Sequence, residues 1–90
     1  MDILQELSKI EIRNKAIEEL IESQNKIIND CIDRYKFYKV ELEKIDILTK
    51  LSNENIENIE QRNRYAQEVE SALNEAKQAI ELKAKLESLK

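Results

Sequence analysis

The residues of this chain that could carry chemistry are carboxylates and one thiol. Glutamates such as Glu18 with Glu22, or Glu57 with Glu60, are spaced to share a helix face, as an acid–base pair requires. The chain has no histidine, so it offers no His-based acid–base pair, no Ser-His-Asp or Cys-His arrangement and no imidazole ligand for a metal. We therefore interpret the acidic pairs as solvated faces balanced by lysines, and we predict no catalytic residue, cofactor site or metal site.

Cys31 is the single cysteine, so no disulfide can form within the chain and a reducing compartment is the expectation. No basic residue lies one turn before it, at Ile27 or Ile28, although Arg34 lies one turn after. Because an activated thiolate needs an electropositive setting, a redox or interchain disulfide site is poorly supported. We predict that Cys31 is a small buried hydrophobic residue.

The charge of the chain is acidic and spread along its length. The formal net charge is −4, and the segments 1–30, 31–50, 51–70 and 71–90 carry about −3, +1, −3 and +1. This balance disfavours non-specific attraction to nucleic acids or anionic membranes. No basic region followed by an apolar run opens the chain, so we predict no signal peptide, no transmembrane segment and a cytoplasmic location.

One zone keeps nucleic-acid binding open as an alternative. It combines five cations with three aromatic residues: Arg34, Lys36, Lys39, Arg62 and Arg64, with Tyr35, Phe37 and Tyr38. Acidic residues interleave with these cations, and two of the tyrosines fall on an apolar seam where bases could not stack. A small dimeric helical nucleic-acid-binding regulator is therefore the second hypothesis, behind protein binding.

The elements that position these residues are predicted to be long helices. The chain contains no glycine and no proline, and 38% of its residues are charged, which is typical of a long helix or coiled coil. Residues at steps of three and four define one seam over about six heptads. Its positions are Ile3, Leu7, Ile10, Asn14, Ile17, Ile21, Gln24, Ile28, Cys31, Tyr35, Tyr38, Leu42, Ile45 and Thr49.

The register of this seam fails at a cluster of turn-prone residues, Ser52-Asn53-Glu54-Asn55. Ser52 could cap a second helix, with Leu51 and Ile56 forming a hydrophobic staple. We therefore predict an all-α fold in one domain, 1–90: an antiparallel helical hairpin or coiled coil with helix 1 about 3–51, a turn about 52–55 and helix 2 about 53–88. We expect this hairpin to dimerise into a helical bundle. A continuous rod is the alternative.

A chain that folds back near residue 52 brings together positions whose numbers sum to about 104. The second helix would then face the first with Ala66, Val69, Leu73, Ala76 and Ile80. Cys31 would meet Leu73, and Gln24 would meet Ile80. Tyr38 would face Ala66 and Ile28 would face Ala76, the alternation of large and small residues that close packing favours.

Two apolar surfaces are left over in such a hairpin. Helix 1 outruns helix 2 at its start, and we predict self-association through Ile3, Leu7, Ile10, Asn14 and Ile17, with Asn14 as a polar residue that fixes register. A second row, Phe37, Val40, Ile47 and Leu51, lies on the far side of helix 1 as a partner or dimer surface. The sequence thus predicts a non-enzymatic protein-interaction module (adaptor, assembly factor, regulator or inhibitor) whose partner is another protein, itself, or both.

Overall fold

The chain forms two packed helices. A computed structural model describes residues 2–52 and 59–90, with helix α1 at Ile3–Ser52 and helix α2 at Ile59–Glu87. The helices run antiparallel in a hairpin that measures 79 × 16 × 13 Å, and the described residues contain no strand. The predicted hairpin is confirmed. Ser52 is the last residue of α1, while the rest of the predicted turn and the predicted start of helix 2 lie outside the described residues.

Helix α1 begins at a side-chain cap. The backbone N–H of Leu4 donates to Asp2 Oδ1 at 3.0 Å, and the N–H groups of Gln5 and Glu6 donate to the Asp2 carbonyl at 3.1 and 3.3 Å. The carboxylate satisfies an otherwise unpaired donor and complements the positive end of the helix dipole. With no glycine or proline to interrupt it, α1 then continues for 50 residues.

The core of the hairpin is a single narrow seam. Its buried residues are Ile17, Ile21 and Cys31 on α1 and Ala72, Ala79 and Leu86 on α2. Leu86 packs with Ile17 and Ile21 to form the one cluster of buried apolar side chains in the described residues. Alanines on the facing row of α2 let the two backbones approach closely. The buried alanines, Ala72 and Ala79, are not the two that the sequence predicted.

The predicted face of α2 is wrong at three of its five positions. Leu73 and Ile80, expected in the seam, are more than half exposed, and Ala66 is also exposed. The preceding positions, Ala72 and Ala79, are buried instead. The small alanine side chains at these two positions let the helices approach closely. Val69 and Ala76, also predicted for this face, are half-buried. The helix is therefore rotated from the predicted orientation by about half of one 100° residue step.

Ion pairs flank the seam on both sides. The Arg34 guanidinium lies 2.7 Å from Glu75 and 3.5 Å from Glu68, both on α2. Arg62 of α2 lies 2.7 Å from Asp46 of α1. Arg34 comes just before a seam residue and Asp46 just after one, so the two groups lie on opposite flanks of the hairpin.

Candidate protein-interaction surfaces

The outer face of α1 carries an uncovered apolar row. Phe37 is 58% exposed, and Val40, Ile47 and Leu51 are also exposed. These residues project away from α2 because they occupy the heptad positions opposite the seam. Lys44 interrupts the row, and its ammonium group is held by Glu41 at 2.9 Å. The structure thus places all four predicted residues on one accessible face.

Phe37 is oriented by an aromatic chain that crosses the hairpin. Its ring meets the ring of Tyr38 edge-on, with centroids 5.1 Å apart, and Tyr38 lies 5.6 Å from Tyr65 of α2. Edge-to-face contacts of this kind favour defined ring positions. The exposed Phe37 ring therefore packs against Tyr38, which in turn contacts Tyr65, and this support makes Phe37 a candidate anchor for a partner.

The start of α1 extends beyond α2 as a single helix, here called the arm (residues 3–13). Its seam residues Ile3, Leu7 and Ile10 are at least half exposed, although the same seam is buried from Ile17 onward, two turns after Ile10. The end of α2 reaches Asn14 and Glu18, which line a shallow hollow with Lys90. Of the five residues predicted for self-association, Ile17 is buried against Leu86 in its own chain, whereas Ile3, Leu7, Ile10 and Asn14 are exposed.

The rotation of α2 creates two further apolar flanks that the sequence reasoning missed. On the Arg34 side, Ile27 and Leu82 line a shallow groove together with Gln24 and Ala79. The Asp46 side carries Ile32, Leu73 and Ile80, all exposed, because they share or adjoin the heptad positions of the Asp46–Arg62 pair. One sequence signal could have indicated both flanks: Glu68 and Glu75 are seven residues apart, so both lie on one side of α2. Pairing that side with Arg34 fixes the orientation of α2.

A polar cluster at the middle of the hairpin joins Cys31 to this arginine. Glu75 Oε2 accepts a hydrogen bond from Arg34 Nη1 at 2.7 Å and lies 3.8 Å from Cys31 Sγ, which is 3% exposed. Burial, followed by the charge of Glu75, raises the pKa of the Cys31 thiol. The hydrogen bond from Arg34 to Glu75 raises the pKa of the guanidinium. The cluster therefore keeps a neutral thiol beside a structural ion pair.

The five cations of the alternative nucleic-acid zone do not form an open basic patch. Arg34 and Arg62 bind carboxylates across the hairpin. Lys39 lies 5.9 Å from the centroid of the Tyr35 ring and Arg64 lies 5.7 Å from that of Tyr65. Lys36 is exposed. Tyr35 and Tyr38 are half-buried in the seam, so their ring faces are not open platforms for bases.

The acidic pairs are placed on solvated faces where the structure describes them. Glu18 and Glu22 are exposed, as is Glu60, while Glu57 lies outside the described residues. Within residues 2–52 and 59–90, no group of three or more Cys, Asp or Glu side chains is arranged to hold a metal ion. Neither of the described helices has an apolar stretch that could cross a membrane.

We compared the chain with known protein families, curated proteins and solved structures. No protein-family model matches the chain, and neither curated proteins nor solved structures gave a significant match.

Proposed function

We propose that this chain is a non-enzymatic protein-interaction module that acts as an adaptor, assembly factor, regulator or inhibitor. In this proposal it binds through helical apolar faces and associates with itself as a dimer in a coiled-coil manner. A cytoplasmic location fits the lone cysteine, which a reducing compartment would keep as a thiol.

The observation that carries the proposal is the uncovered row Phe37, Val40, Ile47 and Leu51 on α1. Isolated exposed apolar residues are common on proteins, but a row at helical spacing is typical of a contact surface. The remaining surface supports the same reading: six apolar residues are buried in the described part of the chain, and eighteen large ones are exposed. A two-helix hairpin cannot cover them alone.

The first test is the double substitution Phe37→Ala with Ile47→Ala. Both side chains are exposed, so the change should lower the free energy of unfolding by no more than about 0.5 kcal/mol. It should nevertheless abolish binding at the outer face, because truncating a central aromatic anchor typically costs at least about 2 kcal/mol of binding. The immobilised chain and the variant are compared for retained proteins by quantitative mass spectrometry, and for self-association by sedimentation.

The matched control is Lys36→Ala with Glu43→Ala. These residues are exposed on neighbouring positions of the same helix, and the pair leaves the net charge unchanged. A protein retained by the wild-type chain and by the control, but lost from the Phe37 and Ile47 variant, supports the proposal. Equal retention and equal association by all three chains would show that the row is ordinary surface.

A further inference from the structure

We infer that the arm (residues 3–13) docks on the arm of a second copy in antiparallel orientation, forming a dimer of two hairpins joined end to end. This inference rests on the self-association in the proposed function and specifies its surface and geometry. The arm is a direct continuation of the intrachain seam. Ile17 and Ile21 are covered by Leu86, whereas Ile10, at the same heptad position one repeat earlier, is 56% exposed because α2 has ended.

The length of the uncovered seam on the arm favours the arm of a second copy as its binding partner. The uncovered seam runs from Ile3 to Asn14, so an antiparallel partner arm of the same length fills it completely. In this register Leu7 of each copy meets Ile10 of the other, and Ile3 meets Asn14. The two contacts are repeated by the two-fold axis, as expected of an isologous interface.

The charges beside the arm seam select the antiparallel orientation. Glu6 and Arg13 occupy one flank and Glu11 the other. Antiparallel helices bring like flanks together, which places Glu6 of each copy near Arg13 of the other. Parallel arms would instead bring Glu6 near Glu11, an acidic pair that occurs twice. The contact of Glu6 with Lys9 in the same helix is long, at 3.8 Å, and exposed, so it does not remove this preference.

The helix ends are complementary in the same arrangement. The partner arm runs in the direction of α2 and starts where α2 stops, beside Asn14 and Lys90. The carbonyl end of α2 then faces the amide end of the partner's α1, so the two helix dipoles align head to tail. Lys90 also lies at the height of Asp2 of the second copy, adding an opposite-charge contact. The arm pair thus continues the two-helix packing from one hairpin into the next.

The experiment compares the full-length chain with Ile10→Glu and with Ile12→Glu by sedimentation over a range of concentrations. Ile12 is as apolar as Ile10 and is 69% exposed, but it lies on the opposite side of the arm. We expect Ile10→Glu to weaken the dimer by about 100-fold or more, because both copies bury the new charge, and Ile12→Glu to change the dimer constant less than about threefold. Circular dichroism checks that both variants remain helical.

Orientation is tested by disulfide formation in chains that carry Cys31→Ala. A mixture of Ile3→Cys chains with Asn14→Cys chains should give a crosslinked dimer, and Ile3→Cys chains alone should not. Crosslinking of Ile3→Cys alone would show parallel arms and overturn the inference. So would a wild-type chain that stays monomeric at high micromolar concentration, or a dimer that survives Ile10→Glu. Partner retention by the Phe37 and Ile47 variant is measured separately. If the outer row proves not to bind a partner, the sedimentation and crosslinking results still decide whether the arms dimerise.

Discussion

At the scale of single residues, the position of Cys31 in the seam determines how readily its thiol ionises. Its sulfur is buried beside the Glu75 carboxylate, and both surroundings disfavour the thiolate. Arg34 acts in the opposite direction, but its guanidinium is already bound to the same carboxylate. The thiol is thus shielded both by packing and by charge, as a structural cysteine is.

We expect the alkylation rate of Cys31 in the folded chain to remain low at pH values where an exposed thiol reacts. Burial raises its pKa above the ordinary value of 9.0, so the rate should rise only at higher pH than in the urea-unfolded chain. Reaction with iodoacetamide, followed by mass spectrometry between pH 7 and 10, measures this. Identical pH profiles for the folded and unfolded chains would contradict a protected thiol.

The same shift has a defined sign for stability. Because the folded-state pKa of Cys31 is raised, its contribution is fully present below the unfolded value of 9.0 and is lost as the pH rises above it. The free energy of unfolding of the wild-type chain should therefore fall more steeply above pH 9 than that of the Cys31→Ala chain. The difference between the two chains isolates Cys31 from the tyrosines and lysines, which titrate in both.

At the scale of the helices, the end of α2 is fixed by Leu86. This residue is buried against Ile17 and Ile21, and it is the last large contact before the arm begins. We predict that Leu86→Ala lowers the free energy of unfolding by about 2 kcal/mol, since it leaves a cavity in the one apolar cluster. Urea denaturation followed by circular dichroism measures the change.

The control for this prediction is Leu82→Ala, one turn earlier in the same helix. Leu82 is nearly half exposed, so the same change of side chain should cost only about 0.5 kcal/mol. If the two substitutions destabilised the hairpin equally, Leu86 would not be a core residue, and the boundary between hairpin and arm would have to move.

The two helices and their reversal could be predicted from residue spacing, because a seam from Ile3 to Thr49 and a turn-prone cluster after it are local features. The rotation of α2 could not be found in the same way. Leu73 and Ile80 are more apolar than Ala72 and Ala79, so a reading by hydrophobicity selects the wrong row. The observed row follows from two non-local effects: close approach of backbones over alanines, and the reach of Arg34 to Glu68 and Glu75.

The candidate surfaces also differ in whether they could be predicted from the sequence. The outer row from Phe37 to Leu51 and the arm could be located from heptad positions on α1 alone. The exposed flank around Leu73 and Ile80 depends on the orientation of α2, so it required the structure. Spacing alone groups Ile17 with Ile3, Leu7 and Ile10, because the seam on α1 contains no break that marks where α2 ends.

At the scale of the whole molecule, scattering separates the possible assemblies. The Ile10→Glu chain should be a monomer with a maximum dimension near the 79 Å of the hairpin. A single continuous helix of this chain would instead span about 130 Å. The wild-type dimer joined through its arms should reach about 140 Å, because the two hairpins overlap only over the arm.

Mass distinguishes the two long particles, since the rod is a monomer and the arm-joined dimer has twice its mass. A wild-type dimer only about 80 Å long would mean that the hairpins lie side by side as a four-helix bundle. That outcome would place the dimer contact on the flanks or the outer row rather than on the arm.

Because α1 is one unbroken helix, it also sets the spacing between the surfaces at its two ends. One continuous helix of 50 residues connects the arm to the outer row that ends at Leu51, so anything bound at one end is held at a fixed distance and angle from anything bound at the other. Adding or removing seven residues in step on both helices would change this distance by about 10 Å while keeping every face in register. Changing the length by three or four residues would instead alter the rotational relation between the two ends.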